Sequence, residues 1–281
     1  DLSQYFIDGD IALSEVLTSE PVVLATALAK RVKNNKKNSA NILVKNTGKF
    51  DIRTSPGMIF PIDRLQGLEG YGFVNVDLDS VDNTIRYLPL LGSLNGDLYP
   101  SFFLEMIRVF EEDQMLNLDT TRGIITLNKL TTGFVEFPVT LEANFVFHHG
   151  YSDRFKVLSL SNIVKNDLNN EALLDLIKDK IIIIGSSAAG LNDLHATNLE
   201  QAVPGSIIML SAIHQIMSER FLKFSPEIDV GAISLLFLGL LVLFLISGKD
   251  HIIAGLICSI AFTGLSIFGS IQVFDKVGYV V

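Results

Sequence analysis

The stretch KIIIIGSSAAGLNDL, from Lys180 to Leu194, decides the predicted fold. Four consecutive isoleucines without polar alternation indicate a β-strand that is buried on both faces, as in a parallel sheet covered by helices. The Gly-rich turn after them, residues 185–190, is typical of the carboxyl end of such a strand. The stretch therefore predicts an α/β domain.

Short β-branched runs and amphipathic stretches alternate on both sides of this unit, which favours a mixed, largely parallel sheet flanked by helices. We expect residues 73–76 and 85–90 to pair as a hairpin around the acidic turn DLDSVDNT, with Asn83 in the left-handed conformation. Further strands are predicted over 22–25, 42–44 and 124–127, and helices over 26–32, 99–110, 159–164, 170–177 and 207–221.

Two uncharged apolar stretches follow the α/β part. The first runs from Val230 to Gly248 and the second from Ile252 to Phe274, and each has about the twenty residues that cross a hydrocarbon core. Their polar positions are small Ser, Thr and Gly residues rather than a solvated stripe. We therefore predict a transmembrane helical hairpin, with these four residues as the ends of its anchors.

Composition excludes several classes of function. The chain has 281 residues and a formal net charge of -9, which argues against nucleic acid as a partner. Its single cysteine, Cys258, lies in the second apolar stretch, so the α/β part has no disulfide and must be stable on its packed core. We expect no cofactor.

The turn after the isoleucines does not fit the common phosphate-binding or nucleophile motifs. No Lys-Ser or Lys-Thr pair follows Gly190, and Ala189 stands where a nucleophile elbow needs Gly. Two interpretations remain for Ser186 and Ser187: a contact to a ligand, or a plain tight turn. A membrane-tethered hydrolase that uses Ser186 or Ser187 is a rival hypothesis. Asp193 and His195 could complete a triad with Ser186, although they are close to each other in sequence.

Metal chemistry is weakly represented. The acidic turn lacks the alternation of oxygen ligands and the final Glu of a calcium loop, so we expect a solvated turn in which Arg86 pairs with a carboxylate. His148 and His149 are adjacent on a predicted strand and point to opposite faces, which disfavours one ion bound by both. We predict no metal site.

Five segments occur in an order and spacing that resembles the type-2 CHASE domain, a cyclase/histidine-kinase-associated sensory extracellular domain of bacterial receptors. The resemblance covers about residues 24–222. The segments are GFVNV (72–76), IRYLPL (85–90), YPSFFLE (99–105), KIIIIGSSAAGLNDLHAT (180–197) and VPGSIIMLSAIHQIM (203–217).

The resemblance implies an extracytoplasmic domain that senses an unknown small molecule or physical stimulus. It implies one transmembrane helix before the domain and three after it, so we expect a leader or helix ahead of residue 1 and a third span beginning at 277–281. By position, it indicates a polar centre that includes Asp82, Arg86, Ser186, Asp193 and Thr197. Together with Ser187 of the Gly-rich turn, these residues form the predicted ligand site. Gly185, Pro204 and Gly205 accompany these residues as turn formers.

The leading hypothesis is the input region of a bacterial receptor in the inner membrane, without enzymatic activity of its own. Residues 1–225 are then the extracytoplasmic domain, 228–248 and 252–274 the membrane helices, and 277–281 the start of a further segment. The expected partners are the stimulus, the lipid bilayer and a second copy in a homodimer. The expected output is a cytoplasmic adenylate or guanylate cyclase, or a histidine kinase, diguanylate cyclase or protein kinase. A structural membrane subunit is the third alternative.

Overall fold

The computed structural model describes residues 2–30, 42–45, 51–62, 65, 70–112, 116–119, 124–129, 133–140, 142–148, 155–165, 171–186, 193–221, 223–224, 237, 239, 260–269 and 279–280. The chain divides into two units, residues 1–219 and 220–281. The helices of the first unit are α1 (Leu2–Ser19), α2 (Phe102–Phe110), α3 (Leu160–Lys165), α4 (Glu171–Ile177) and α5 (Gly205–Met217).

Fifteen strands accompany these helices among the described residues of the first unit. They are β1 (Val23–Ala29), β2 (Ile42–Lys45), β3 (Thr54–Ser55), β4 (Gly57–Ile59), β5 (Gly70–Phe73), β6 (Thr84–Ile85), β7 (Tyr87–Pro89), β8 (Leu91–Leu94), β9 (Asp97–Pro100), β10 (Leu116–Asp119), β11 (Ile124–Lys129), β12 (Gly133–Pro138), β13 (Asn144–Val146), β14 (Leu194–Thr197) and β15 (Val203–Pro204).

The predicted α/β class is confirmed in its mixed form, but the strands do not build one largely parallel sheet. They form small sheets with the orders β4-β1-β5, β12-β11-β10-β2, β13-β7, β15-β14-β6 and β3-β8-β9. Parallel pairs such as β1 with β5 and β6 with β14 stand beside antiparallel pairs such as β1 with β4. Which strands pair is a long-range choice that hydrophobic patterns do not encode.

The core of the first unit lies between α2 and the β4-β1-β5 sheet. The buried residues Phe103, Leu104 and Ile107 line one side of α2, which packs against β1, β5 and α5. A Cβ atom at Gly72 of β5 would stand 2.3 Å from the Cα atom of Phe102, so the backbone at the start of α2 packs directly against the backbone of β5. Only glycine permits this approach.

The predicted hairpin at the acidic turn is wrong. Residues 74–76 of its first predicted strand lie outside any strand. The preceding β5 pairs with β1, while β6 pairs with β14 and β7 pairs with β13. The turn itself forms as predicted, with Asn83 at a φ of 57°. The local turn chemistry is therefore correct, although the two flanking strands belong to different sheets.

The predicted strand over the four isoleucines is also wrong in the structure. Residues 181–186 belong to no helix or strand, and Ile182 and Ile184 are 52% and 84% exposed. A run of β-branched residues favours an extended backbone, but a buried strand also needs a neighbouring strand. The sequence pattern carried no information about that neighbour.

Three predicted helices differ from the observed elements in type or in bounds. Residues 26–29 are part of β1, because β4 and β5 pair with both of its edges and outweigh the helix preference of Ala and Leu. Tyr99 and Pro100 end β9, so α2 starts only at Phe102. The helix predicted over 207–221 is α5, and it ends at Met217.

In the second unit, Lys223–Phe224 and Tyr279–Val280 pair in parallel as β16 and β17, and residues 260–269 form a helix. Among the described residues, no helix is both long and apolar enough to span a membrane. Val230, Gly248, Ile252 and Phe274, the ends of the predicted anchors, lie outside the described residues.

Candidate functional site

The acidic turn before β6 is held by its own side chains. The Asp79 carboxylate accepts a hydrogen bond from the Val81 N–H at 2.8 Å, and the Asp82 carboxylate accepts one from the Thr84 N–H at 3.1 Å. Backbone bonds join Asn83 N–H to Asp79 O and Asp79 N–H to Thr84 O, both at 2.9 Å. Aspartate favours such turns because its short carboxylate reaches amides two residues ahead.

Arg86 is the centre of this turn. Its guanidinium donates to both Asp82 oxygens, at 2.8 and 2.7 Å, and lies 3.1 Å from an Asp79 oxygen. It also donates to the Thr84 hydroxyl at 2.7 Å. The predicted pairing of Arg86 with a carboxylate is therefore confirmed, in the two-point geometry that suits guanidinium and carboxylate.

This geometry shifts both ionisations. The hydrogen bonds from Arg86, and next that from Thr84, hold the pKa of Asp82 well below its usual range. The hydrogen bond to Asp82 raises the pKa of Arg86 above its already high value. A second arginine, Arg53, pairs with Asp77 in the same loop. Both guanidinium groups are thus already paired with carboxylates of this turn, which partly neutralises the positive charge available to an anionic ligand.

The β15-β14-β6 sheet places a second group of predicted site residues near the acidic turn. The parallel register sets Thr84 opposite Ala196 and Ile85 opposite Thr197. The antiparallel register sets Leu194 opposite Pro204. The acidic turn precedes β6, Asp193 precedes β14, and α5 follows β15. All three therefore lie at the same end of these strands.

Asp193 marks the start of α5. Its carbonyl accepts the Gly205 N–H at 3.0 Å, and its carboxylate lies so close that a Cβ atom on Gly205 would stand 2.4 Å from Oδ1. A carboxylate at a helix N-terminus is stabilised by the unpaired amides there. His195 Nε2 is 3.4 Å from the same Oδ1. A side chain at residue 205 would therefore require the Asp193 carboxylate to move.

Gly185 and Ser186 lie beside the same helix end. A Cβ atom on Gly185 would stand 2.9 Å from the Ser206 Cβ atom. The Ser186 hydroxyl is buried and has no hydrogen-bond partner among the described residues. Ser187 lies outside the described residues. A nucleophile needs access to substrate, and His195 turns its Nε2 atom to Asp193, so no described feature favours the hydrolase hypothesis.

Thr197 has a local structural role. Its hydroxyl accepts the Glu200 N–H at 3.1 Å, and its own N–H donates to the Glu200 carbonyl at 2.7 Å. These bonds close the turn after β14. The structure thus joins Asp82 to Arg86 directly and sets Thr197 in register with the neighbouring Ile85, while Ser186 and Asp193 adjoin α5.

Two amide side chains that the sequence did not single out replace missing strands. Asn75 accepts the Leu28 N–H at 2.6 Å and donates to the Leu28 carbonyl at 3.1 Å, which continues the β1-β5 pairing beyond its last residue. Gln215 of α5 accepts the His148 N–H at 3.1 Å and donates to the Val146 carbonyl at 3.2 Å. Asn75 lies in GFVNV, but its role depends on a residue 47 positions away.

One buried ion pair was also missed. Glu105 and Arg108 of α2 form two hydrogen bonds, of 2.8 and 2.7 Å, and their side chains are only 8% and 9% exposed. Their spacing of three residues on a helix permits the contact, but it does not reveal that the pair is buried.

Among the residues that the structure covers, no group of three or more His, Cys, Asp or Glu side chains is arranged to hold a metal ion. His149, one of the two adjacent histidines, lies outside the described residues. His148 is bound through its main chain to Gln215. The polar side chains described above therefore act mainly on turns, helix ends and strand edges.

Comparison with known families identifies that domain. A sequence model of the CHASE2 domain matches residues 3–246, which is well over half of the chain. The protein therefore belongs to the CHASE2 family, as the five sequence segments predicted. CHASE2 is an extracellular sensory domain of signalling receptors and is not catalytic. Neither the curated proteins nor the solved structures gave a match.

Proposed function

We propose that this chain is the input region of a bacterial receptor in the inner membrane, with the unit of residues 1–219 outside the cytoplasm. The observation that carries the proposal is the extent of the family match, which continues from this unit to residue 246 and so includes most of the first apolar stretch. The stimulus acts on the α/β unit, and the signal leaves through the residues that follow α5.

The apolar character of the second unit supports a membrane location. Its described large apolar side chains are mostly exposed: Phe237, Ile260, Leu265, Ile267 and Phe268 lie between 58% and 69%. Exposed apolar groups at this density are unfavourable in water and favourable in lipid. The lipid bilayer is therefore the proposed partner of this unit.

The output proposed for this receptor is a nucleotide cyclase, with a histidine kinase, diguanylate cyclase or protein kinase as alternatives. Such output domains act in pairs, so the receptor is proposed to work as a homodimer. A stimulus can shift the output only if it binds one of two receptor states more tightly than the other. Asp82, Arg86, Ser186, Ser187, Asp193 and Thr197 remain the proposed region of stimulus recognition.

The membrane topology can be tested with single cysteines. In a Cys258→Ser chain exported to the inner membrane, Asn198→Cys reports on the α/β unit and Asp250→Cys on the loop between the apolar stretches. We expect a membrane-impermeant maleimide to label Asn198→Cys in intact spheroplasts and Asp250→Cys only after permeabilisation. Equal labelling of both positions in intact spheroplasts would contradict the proposed topology.

The sensory role requires the full-length receptor. We expect its output activity to change with at least one metabolite, cation or physical stimulus, and the response to disappear when residues 1–219 are replaced by a flexible linker. The matched control is Gly9→Ala, at an exposed position with no neighbouring atom within 4 Å of the added carbon. A response that survives the replacement would assign sensing to another part of the receptor.

A further inference from the structure

The end of strand β13 is held on both of its edges. On one edge, the Phe147 N–H donates to the Arg86 carbonyl at 2.9 Å, just beyond the β13-β7 ladder. On the other edge, the Val146 carbonyl and the His148 N–H bond to the side-chain amide of Gln215. Successive residues of a strand direct their polar groups to opposite edges, so the two sets of bonds do not compete.

Gln215 is well suited to this contact. It is 1% exposed and lies on the buried side of α5, between the buried residues Ile213 and Ile216. Its amide both donates and accepts, so it satisfies two backbone groups as a neighbouring strand would. An apolar side chain of similar length would leave the Val146 carbonyl and the His148 N–H without these bonds, which is costly at a buried site.

Arg86 serves two purposes at once. Its carbonyl holds the Phe147 N–H, and its guanidinium holds Asp82 and Asp79 of the exposed acidic turn. Any change that withdraws these carboxylates from the guanidinium acts on the residue that fixes the end of β13. Hydrogen bonds at both ends of Arg86, linked through its side chain, thus connect the exposed turn with the end of β13, and Gln215 connects that end with α5.

We propose that Gln215 is the positioning residue that couples the acidic turn to α5. Displacement of Arg86 from its carboxylates loosens the Phe147 bond, and Gln215 transmits this change to the helix from which the chain leaves the α/β unit. The proposal rests on the proposed function only in treating α5 as the route toward the output. The coupling itself is a property of residues 79–86, 146–148 and 205–217.

A double-substitution cycle tests the coupling in the full chain in detergent micelles. Amide hydrogen exchange is measured for Arg86→Gln, Gln215→Met and the double variant. We expect Gln215→Met to speed exchange of the His148 amide about tenfold, the effect of losing one hydrogen bond. We expect Arg86→Gln to speed exchange at Gln215 to Met217 about threefold, and to do so only while Gln215 is present.

Arg53→Gln is the matched control, because it breaks a comparable exposed pair with Asp77 that has no bond to β13. It is expected to leave exchange in α5 unchanged. The amides of β1 and β5 report on global unfolding and should stay protected in every variant. If Arg86→Gln changes exchange in α5 equally with and without Gln215, or not at all, the coupling does not exist.

Gln215→Glu supplies a reversible version of the same test. A protonated carboxyl can still donate to the Val146 carbonyl and accept from the His148 N–H, whereas a carboxylate repels that carbonyl. Burial raises the pKa of a carboxyl group, and Asp82 keeps its charge at low pH because its pKa is lowered. The carboxylate can still accept from the His148 N–H, so the readout is the Phe147 amide, which bonds to the Arg86 carbonyl. Relative to the natural chain at the same pH, Phe147 exchange should be near normal at low pH and rise with pH.

A flat ratio across pH would overturn the role of Gln215, even if Gln215→Met prevents folding. None of these measurements needs an output domain. Their failure would leave the proposed sensory function standing, and a receptor without any stimulus response would leave the measured coupling standing.

Discussion

At the residue scale, this domain relies on side chains that complete backbone hydrogen bonding where a strand or turn runs out. Asn75 continues a sheet by two bonds, Gln215 borders β13, and Asp79 and Asp82 close a turn. Buried backbone groups without partners are costly, so the partly buried contacts of Asn75 and Gln215 contribute more to stability than the exposed bonds of the acidic turn. The consequence is that polar residues, as well as the apolar core, determine the strand arrangement.

The Asn75 contact predicts a clear loss of stability. Asn75→Ala should lower the free energy of unfolding by about 1–3 kcal/mol, because the partly buried Leu28 amide and carbonyl lose their partner. Asn198→Ala, at an exposed position, is the control and should change it by less than about 0.5 kcal/mol. Urea unfolding of both variants measures the difference, and equal midpoints would contradict the structural role.

The Asp82–Arg86 pair predicts a pH dependence. Because the pKa of Asp82 is lower in the folded chain than in the unfolded chain, the unfolded chain binds more protons below about pH 4. The contribution of this pair to stability is therefore complete above that pH and is lost as the pH falls toward the folded pKa. Urea midpoints measured between about pH 2 and 6 should fall less steeply in Asp82→Asn than in the natural chain.

Asp97→Asn, at another exposed aspartate, is the control for this experiment and should retain the natural slope. If Asp82→Asn and the natural chain show the same slope, the pair does not persist in solution.

At the scale of elements, the contacts between helices and strands depend on glycine at points of close approach. Gly72 admits the backbone of α2, and Gly205 admits the Asp193 carboxylate. The two sites differ in how they would respond to an added methyl group, since a carboxylate can rotate away whereas the backbone of a helix cannot. The α2 contact should therefore tolerate substitution less well.

Gly72→Ala tests this point. The added carbon would stand 2.3 Å from the Phe102 Cα atom and 2.6 Å from its amide nitrogen, so α2 must shift on β5. We expect a loss of about 3 kcal/mol or more, at the upper end of the cost of overpacking. Gly9→Ala in α1 has nothing within 4 Å of the new carbon and should instead stabilise the helix by about 0.5–1 kcal/mol. Thermal unfolding of both variants decides between these directions.

At the scale of the whole molecule, the packed core and the apolar unit are sequentially separate. Every fully buried apolar side chain among the described residues lies at or before Ile216, and the second unit begins at Arg220. This separation fits the proposed function, in which the first unit folds on one side of a membrane and the segment that follows anchors it.

The separation predicts that residues 1–219 fold on their own. Expressed without 220–281, they should remain in solution without detergent and unfold cooperatively in urea. The full chain should require detergent or lipid. Circular dichroism in urea and sedimentation measure both properties, and an excised unit that is unfolded or aggregated would show that the second unit is needed for the core.

Several features could be predicted from the sequence because they depend on neighbouring residues. The left-handed Asn83, the Arg86 pairing and the helices α3, α4 and α5 follow from turn chemistry, charge and helical spacing over a few positions. The family also followed from the order of five short segments. The composition of residues 230–248 and 252–274 predicts membrane segments, and that prediction remains open because most of these residues lie outside the described part.

Other features required the tertiary structure, because they depend on which distant segments meet. The conversion of residues 26–29 to strand, the pairing of β6 with β14, and the exposure of Ile182 and Ile184 all follow from long-range partners. The bonds of Asn75 to Leu28 and of Gln215 to Val146 and His148 span 47 to 69 positions. Local pattern thus determined the class and the turns, whereas strand pairing and the route from the acidic turn to α5 were decided by contacts that only the folded chain creates.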